Sequence, residues 1–222
     1  WHPQQLPDGL TPLAEQAQSC AIALSLWFAP SANREYRDWR ESADFLLDCH
    51  RRYGIDCFKL DAVVFSSYLA EENFARLLQT LHEESGGKVT VNLDVTNGLR
   101  GGVFKFGEYG SIFLENRYVC HRWPKHLYHP GNTLDNLWNL AHFCRIQSLQ
   151  IEIPSPDDCR EEGYRERNLP LPTAYPVEYW AMVALMASPL LWFAPSRLSA
   201  ETAARLTEVI TVMRRHREQW RG

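Results

Sequence analysis

The chain has 222 residues, of which 45% are hydrophobic, and a formal net charge of −4. That length and apolar content allow a sizeable core in one large domain or two small ones. Lys and Arg are scattered, which argues against a nucleic-acid-binding face, and no apolar run is long enough to span a bilayer, so neither nucleic acid nor a membrane is expected as a partner.

The predicted elements alternate strand and helix. The first strand, 21–28, ends in Leu26-Trp27-Phe28-Ala29-Pro30. A helix follows that carries Trp39, Ala43, Leu46, Leu47, His50 and Tyr53 on one face. The turn Tyr53-Gly54-Ile55 leads into strand 57–63, which contains Lys59-Leu60-Asp61. Phe74, Leu77, Leu78 and Leu81 mark the next helix, and Ser85-Gly86-Gly87 is a turn before strand 88–95. Glu108-Tyr109-Gly110 is a second turn, ahead of strand 111–115. Leu134, Leu137, Trp138 and Ala141 define a helix that precedes strand 149–153. Pro176 suits a first helical turn leading into Val177, Trp180, Ala181 and Ala184. Strand 190–194 then precedes a last helix with Ser199 as N-cap and Ala203, Leu206, Ile210 and Met213 on its inner face.

These strands are short continuous apolar runs, as expected for parallel strands buried on both faces. Repeated strand–helix units imply an α/β protein with right-handed crossovers. About six units are present where a closed barrel needs eight. The expectation is therefore a partial (β/α)8 TIM barrel whose two N-terminal units are missing ahead of Trp1, forming a single catalytic domain over residues 1–222. A six-stranded doubly wound sheet is the rival, but no G-x-G-x-x-G or P-loop motif is present to support nucleotide binding.

Three strand ends deliver acids, which is how such a barrel builds an active site. Asp61 ends an apolar strand, where a charge needs a role or a partner. Lys59, two residues earlier, shares its strand face and would keep it ionised, as a nucleophile requires; a structural Lys–Asp pair is the alternative. Glu115 ends strand 111–115, beside Asn116 and Arg117, which suit hydroxyls or a negative charge; an exposed loop acid is the alternative. Asp94 lies between them and is either a ligand contact or a turn residue. It opens the polar loop 96–102, which includes Asn97 and Arg100. Trp27 is equally a sugar platform or a core ring. Glu152 and Asp157 flank Pro154-Ser155-Pro156 near a later strand end.

The six cysteines, Cys20, Cys49, Cys57, Cys120, Cys144 and Cys159, show no metal-ligand spacing. They read as core residues or surface thiols and favour a reducing compartment, hence the cytoplasm. The first residue is Trp1 rather than Met, so the absence of a signal peptide carries no weight. The histidines are dispersed without an H-E-x-x-H pair, and no metal or other cofactor is expected.

At these residues the chain resembles the α-galactosidase-like (melibiase) barrels of glycoside hydrolase clan D, above all family 36. Trp1, Leu6-Pro7-Asp8-Gly9-Leu10 and Leu26-Trp27-Phe28-Ala29-Pro30 follow the order of the family's Asp-Asp-Gly-Trp, Phe-Pro-x-Gly-Leu and Leu-Trp-Phe-x-Pro segments. Tyr36-Arg37-Asp38-Trp39 is similar to its Tyr-Arg-x-x-x-Asp-Trp. Tyr53-Gly54-Ile55-Asp56-Cys57-Phe58-Lys59-Leu60-Asp61 matches its Tyr-Gly-Ile-Asp-Tyr-x-Lys-x-Asp, the most specific correspondence. Residues 94–100 stand where the family has Cys-x-x-Gly-Gly-Gly-Arg, and Phe113-Leu114-Glu115-Asn116 where it has Trp-x-Ser-Asp, so Glu115 replaces an Asp.

The resemblance implies a retaining α-glycosidase acting on terminal α-galactosides, a carbohydrate substrate and no cofactor. Asp61 would be the nucleophile and Glu115 the acid/base. Trp27, Arg37, Lys59, Asp94, Asn97, Arg100 and Arg117 would bind substrate. Two other expectations stand beside it. One is an enolase-type barrel enzyme in which Asp61, Asp94 and Glu115 hold Mg²⁺ and Lys59 is the base. The other is a sugar-binding relative without catalysis.

Overall fold

The structure is a computed structural model that describes residues 4–94, 101–114, 117–119, 126–128, 130–154, 165, 170–216 and 219. The chain divides into two compact units, Trp1–Phe113 and Leu114–Gly222.

The first unit holds α1 (Thr11–Ser19), β1 (Ser25–Phe28), α2 (Trp39–Tyr53), β2 (Cys57–Leu60), α3 (Tyr68–Glu84), β3 (Thr90–Asp94), a 3₁₀ segment (Gly101–Tyr109) and β4 (Gly110–Phe113). The strands lie in chain order, each parallel to the next. One register row runs Phe28, Leu60, Leu93 and Ile112. Phe28 stacks on Phe45 of α2 with ring centroids 5.6 Å apart, so this row faces the helices. Its members on β2, β3 and β4 are buried, as are Leu46 and Leu47 of α2 and Phe74, Leu77 and Leu78 of α3. α2 and α3 form where the 3.6-residue pattern set them. Gly54 stops α2 in the left-handed conformation, at φ 66°, and returns its N–H to His50 O. Ser67 caps α3, its Oγ accepting the Ala70 N–H at 3.1 Å.

The second unit holds β5 (Arg117–Val119) and β6 (His126–Tyr128), which pair antiparallel, then α4 (Pro130–Leu140), β7 (Leu149–Ile153), α5 (Val177–Leu185), β8 (Ser188–Leu191) and α6 (Ala200–His216). β7 and β8 are parallel, with Ile151 opposite Pro189 and Glu152 opposite Leu190. Leu114 donates its N–H to Gln150 O at 2.9 Å. Pro176 is the N-cap of α5. Ser199 caps α6 as expected, accepting the Thr202 N–H at 3.1 Å. Arg205 of α6 grips Glu178 of α5 through two bonds of 2.6 and 2.7 Å.

Six parallel strands alternating with helices, four in one unit and two in the other, make the chain an α/β protein of the partial (β/α)8 TIM-barrel class. Three strands end earlier than their sequence pattern: β2 at Leu60, β4 at Phe113 and β8 at Leu191.

Candidate active site

Side chains alternate along a strand, so the row opposite the helical face is Trp27, Lys59, Asn92 and Ser111, which are direct register partners on β1 to β4. Two residues further along β3 and β4 the same face carries Asp94 and Phe113, again paired. Asp61 follows the end of β2 and extends its ladder by donating its N–H to Phe28 O at 2.9 Å.

Lys59 is the hub. It is 5% exposed, and its Nζ lies 3.1 Å from Asp94 Oδ2, 3.5 Å from the centroid of the Phe113 ring and 5.4 Å from that of Trp27. A buried ammonium needs an anion and is further favoured over aromatic faces. Trp27 is 60% exposed, so its ring offers an open face above a buried ion pair.

Asp61 is half-buried, and its Oδ1 accepts the Ala62 N–H at 2.9 Å. Ala62 has φ 55°, a left-handed conformation that costs energy for any residue with a Cβ. It turns the chain out of β2 directly after the carboxylate. The next residue, Val63, donates its N–H to Asp94 O at 2.9 Å, which couples the two acid-bearing strand ends.

The segment beyond Asp61 is clamped from the β1–α2 connection. Tyr36 is buried, and its hydroxyl both donates to Val64 O and accepts from Val64 N, each at 2.9 Å. Burial pushes the phenol above its ordinary range. Glu35 accepts from Ser67 Oγ at 2.6 Å and from Arg37 at 3.0 Å; these bonds, Ser67's first, hold its carboxyl below the ordinary value. Asn73 donates to Glu35 O at 2.9 Å. Arg37, expected to bind substrate, is exposed and pairs with Glu35.

The structure thus brings Trp27, Lys59 and Asp94 together and sets Asp61 at the neighbouring strand end. Asn97, Arg100 and Glu115 lie outside the described residues, as does the side chain of Arg117, whose backbone starts β5 opposite Tyr128. In the second unit Glu152 is buried on β7. Among the described residues no three His, Cys, Asp or Glu side chains converge as a metal site would require, and no helix is long and apolar enough to cross a membrane.

Sequence reasoning missed three residues. Asn92 donates to Ser111 Oγ at 2.7 Å on the same face as Lys59, and Tyr36 holds the segment after Asp61. The signal for Asn92 was available, since a polar residue stands two places before Asp94 inside an apolar strand.

Asp61 and Asp94 thus stand at the carboxyl ends of successive parallel strands, the end at which (β/α)-barrel enzymes build their active sites. No family model matches the chain, and no curated protein matches it. Solved structures do. The galactosidase domain of the α-galactosidase-sucrose kinase AgaSK matches with TM-score 0.66 and 13% identity over 97% of this chain and 33% of that one. The α-galactosidase from Lactobacillus brevis matches with TM-score 0.63 and 11% identity, over 97% and 33%. The GH36 α-galactosidase AgaA from Geobacillus stearothermophilus matches with TM-score 0.59 and 12% identity, over 95% and 33%. The chain spans about a third of the length of each, and at these identities the likeness is one of fold.

Proposed function

We propose that the chain carries the machinery of a retaining α-glycosidase that hydrolyses terminal α-galactosides by double displacement. Asp61 attacks the anomeric carbon and forms the glycosyl-enzyme. Glu115 protonates the departing oxygen, then takes a proton from the water that releases the sugar. Lys59 and Asp94 bind ring hydroxyls, Trp27 provides a stacking face, and Arg37, Asn97, Arg100 and Arg117 complete the substrate contacts. No metal or cofactor enters the reaction.

The observation that carries this reading is the Lys59–Asp94 pair, buried under Trp27 and flanked by Asp61. It supplies donors, acceptors and an aromatic face, the set a sugar needs, in a fold shared with proteins named as α-galactosidases. The same pair disfavours the enolase-type alternative, because Lys59 already neutralises the Asp94 carboxylate that would have to hold Mg²⁺.

The test uses the intact gene product and an aryl α-galactoside. Asp61→Ala should lower turnover by at least about 10⁴-fold. Glu115→Ala should spare an activated aryl leaving group more than a natural disaccharide, and added azide should give a galactosyl azide of retained configuration. The two carboxyl groups should lie about 5–5.5 Å apart, not the about 6.5–9.5 Å of an inverting pair. Full activity in Asp61→Ala, or loss of activity on chelation, would overturn the assignment. Tight galactoside binding without turnover would mark a sugar-binding relative instead.

A further inference from the structure

We propose that Asn92 and Ser111 form a hydroxyl-reading subsite beside the Lys59–Asp94 pair, with Asn92 the specificity-determining residue for one hydroxyl of the bound sugar. This rests on the glycosidase reading and deepens it.

Asn92 sits in the middle of β3, with Val91 and Leu93 buried on either side of it. Its register partners are Lys59 on β2 and Ser111 on β4, and strand alternation puts it on the face of Asp94. The side chain is 5% exposed. Its Nδ2 donates to Ser111 Oγ at 2.7 Å, while its Oδ1 has no hydrogen-bond partner among the described residues. An acceptor that is neither bonded nor solvated is a standing cost, which a leucine of similar size would not carry. Turning the amide over would exchange acceptor for donor and still leave one polar atom over.

Ser111 Oγ, having accepted from Asn92, still has its own O–H to give. The pair therefore offers one acceptor and one donor on adjacent strands. A sugar hydroxyl gives one hydrogen and accepts another, so it answers both. A carboxylate or phosphate would meet the Asn92 carbonyl with like partial charge, and a metal ion would meet two neutral ligands in the same row as the Lys59 ammonium. The chemistry of the row selects a neutral polyol.

Calorimetric binding of D-galactose and its monodeoxy derivatives to the intact gene product tests this. In the unmodified protein, one monodeoxy sugar should bind at least about tenfold more weakly than galactose because it leaves the pair unanswered. In Asn92→Leu that difference should vanish, with galactose binding as weakly as the deoxy sugar, while the other derivatives keep their ratios. The melting temperature should stay level or rise, since an unpaired acceptor has gone. Ser111→Ala should narrow the same gap and gives the answer if Asn92→Leu does not fold. Unchanged ratios for every derivative, in whichever of the two variants folds, would overturn the proposal and leave the glycosidase reading standing. Failure of the unmodified protein to bind any sugar of the series would remove both.

Discussion

At the residue scale, the candidate site depends on how a lysine is kept charged inside a sheet. Lys59 Nζ and Asp94 Oδ2 are 3.1 Å apart, and both side chains are largely buried. Removing one partner strands the other charge, which in buried pairs costs about 3–5 kcal/mol, whereas replacing both by apolar residues restores most of the loss. Lys59→Met should therefore be strongly destabilised in urea, and Lys59→Met with Asp94→Leu should recover the greater part. Equal stability of the single variant and the parent would show that the pair is not coupled. Within one strand, the sequence offered Asp61 as the partner of Lys59, because alternation places residues i and i+2 on one face. Across the sheet Lys59 stands directly opposite Asn92, and Asp94 is two residues further along the neighbouring strand, so the long lysine side chain reaches it diagonally; no reading along one strand could choose it. The turn at Ala62 was likewise illegible, since alanine carries no mark of a left-handed φ.

At the scale of elements, legibility followed burial. The run Leu149–Ile153 is a strand with the bounds its sequence gave it, and α2 and α3 follow their apolar faces. Helix α1 was missed because it has no buried residue and hence no periodicity to read. The strands of the β5–β6 hairpin have three residues each, too few for alternation to register. β8 begins at Ser188 and includes Pro189, earlier than the expected 190–194. Proline has no N–H to give, and β8 tolerates it on a strand whose described partner is β7 alone. Gly110 was read as a turn signal, and the structure assigns it a stricter duty. It opens β4 directly opposite Val91, where an added Cβ would lie 1.9 Å from the Val91 carbonyl oxygen. No side-chain rearrangement relieves a collision with backbone, so β4 would have to leave its register. Gly110→Ala should cost about 1–3 kcal/mol or more in urea unfolding. Parent-like stability would mean that the two strands do not approach so closely.

At the scale of the whole molecule, each compact unit carries, among the described residues, a carboxylate held below its ordinary value by its hydrogen bonds. Glu35 in the first is held below its ordinary value of 4.5 by Ser67 and then by Arg37; Glu178 in the second is held below 4.5 by the two bonds from Arg205. A carboxylate whose pKa is lower in the folded state adds stability that is present above the unfolded value and is lost as pH falls through the folded one. Glu35→Gln and Glu178→Gln should therefore melt below the parent near neutral pH, by about 1–3 °C each for partly exposed pairs in a chain of this size. The gap should close as pH drops below 4.5. The two substitutions also probe the reading of residues 1–222 as a single catalytic domain. If the units unfold together, both variants shift one and the same transition, and their effects add, since the sites share no described partner. Calorimetry that resolved two transitions, with Glu35→Gln moving one and Glu178→Gln the other, would replace the single domain by two independently folding halves. The described candidate residues, Trp27 to Phe113, would then all belong to the first of these halves.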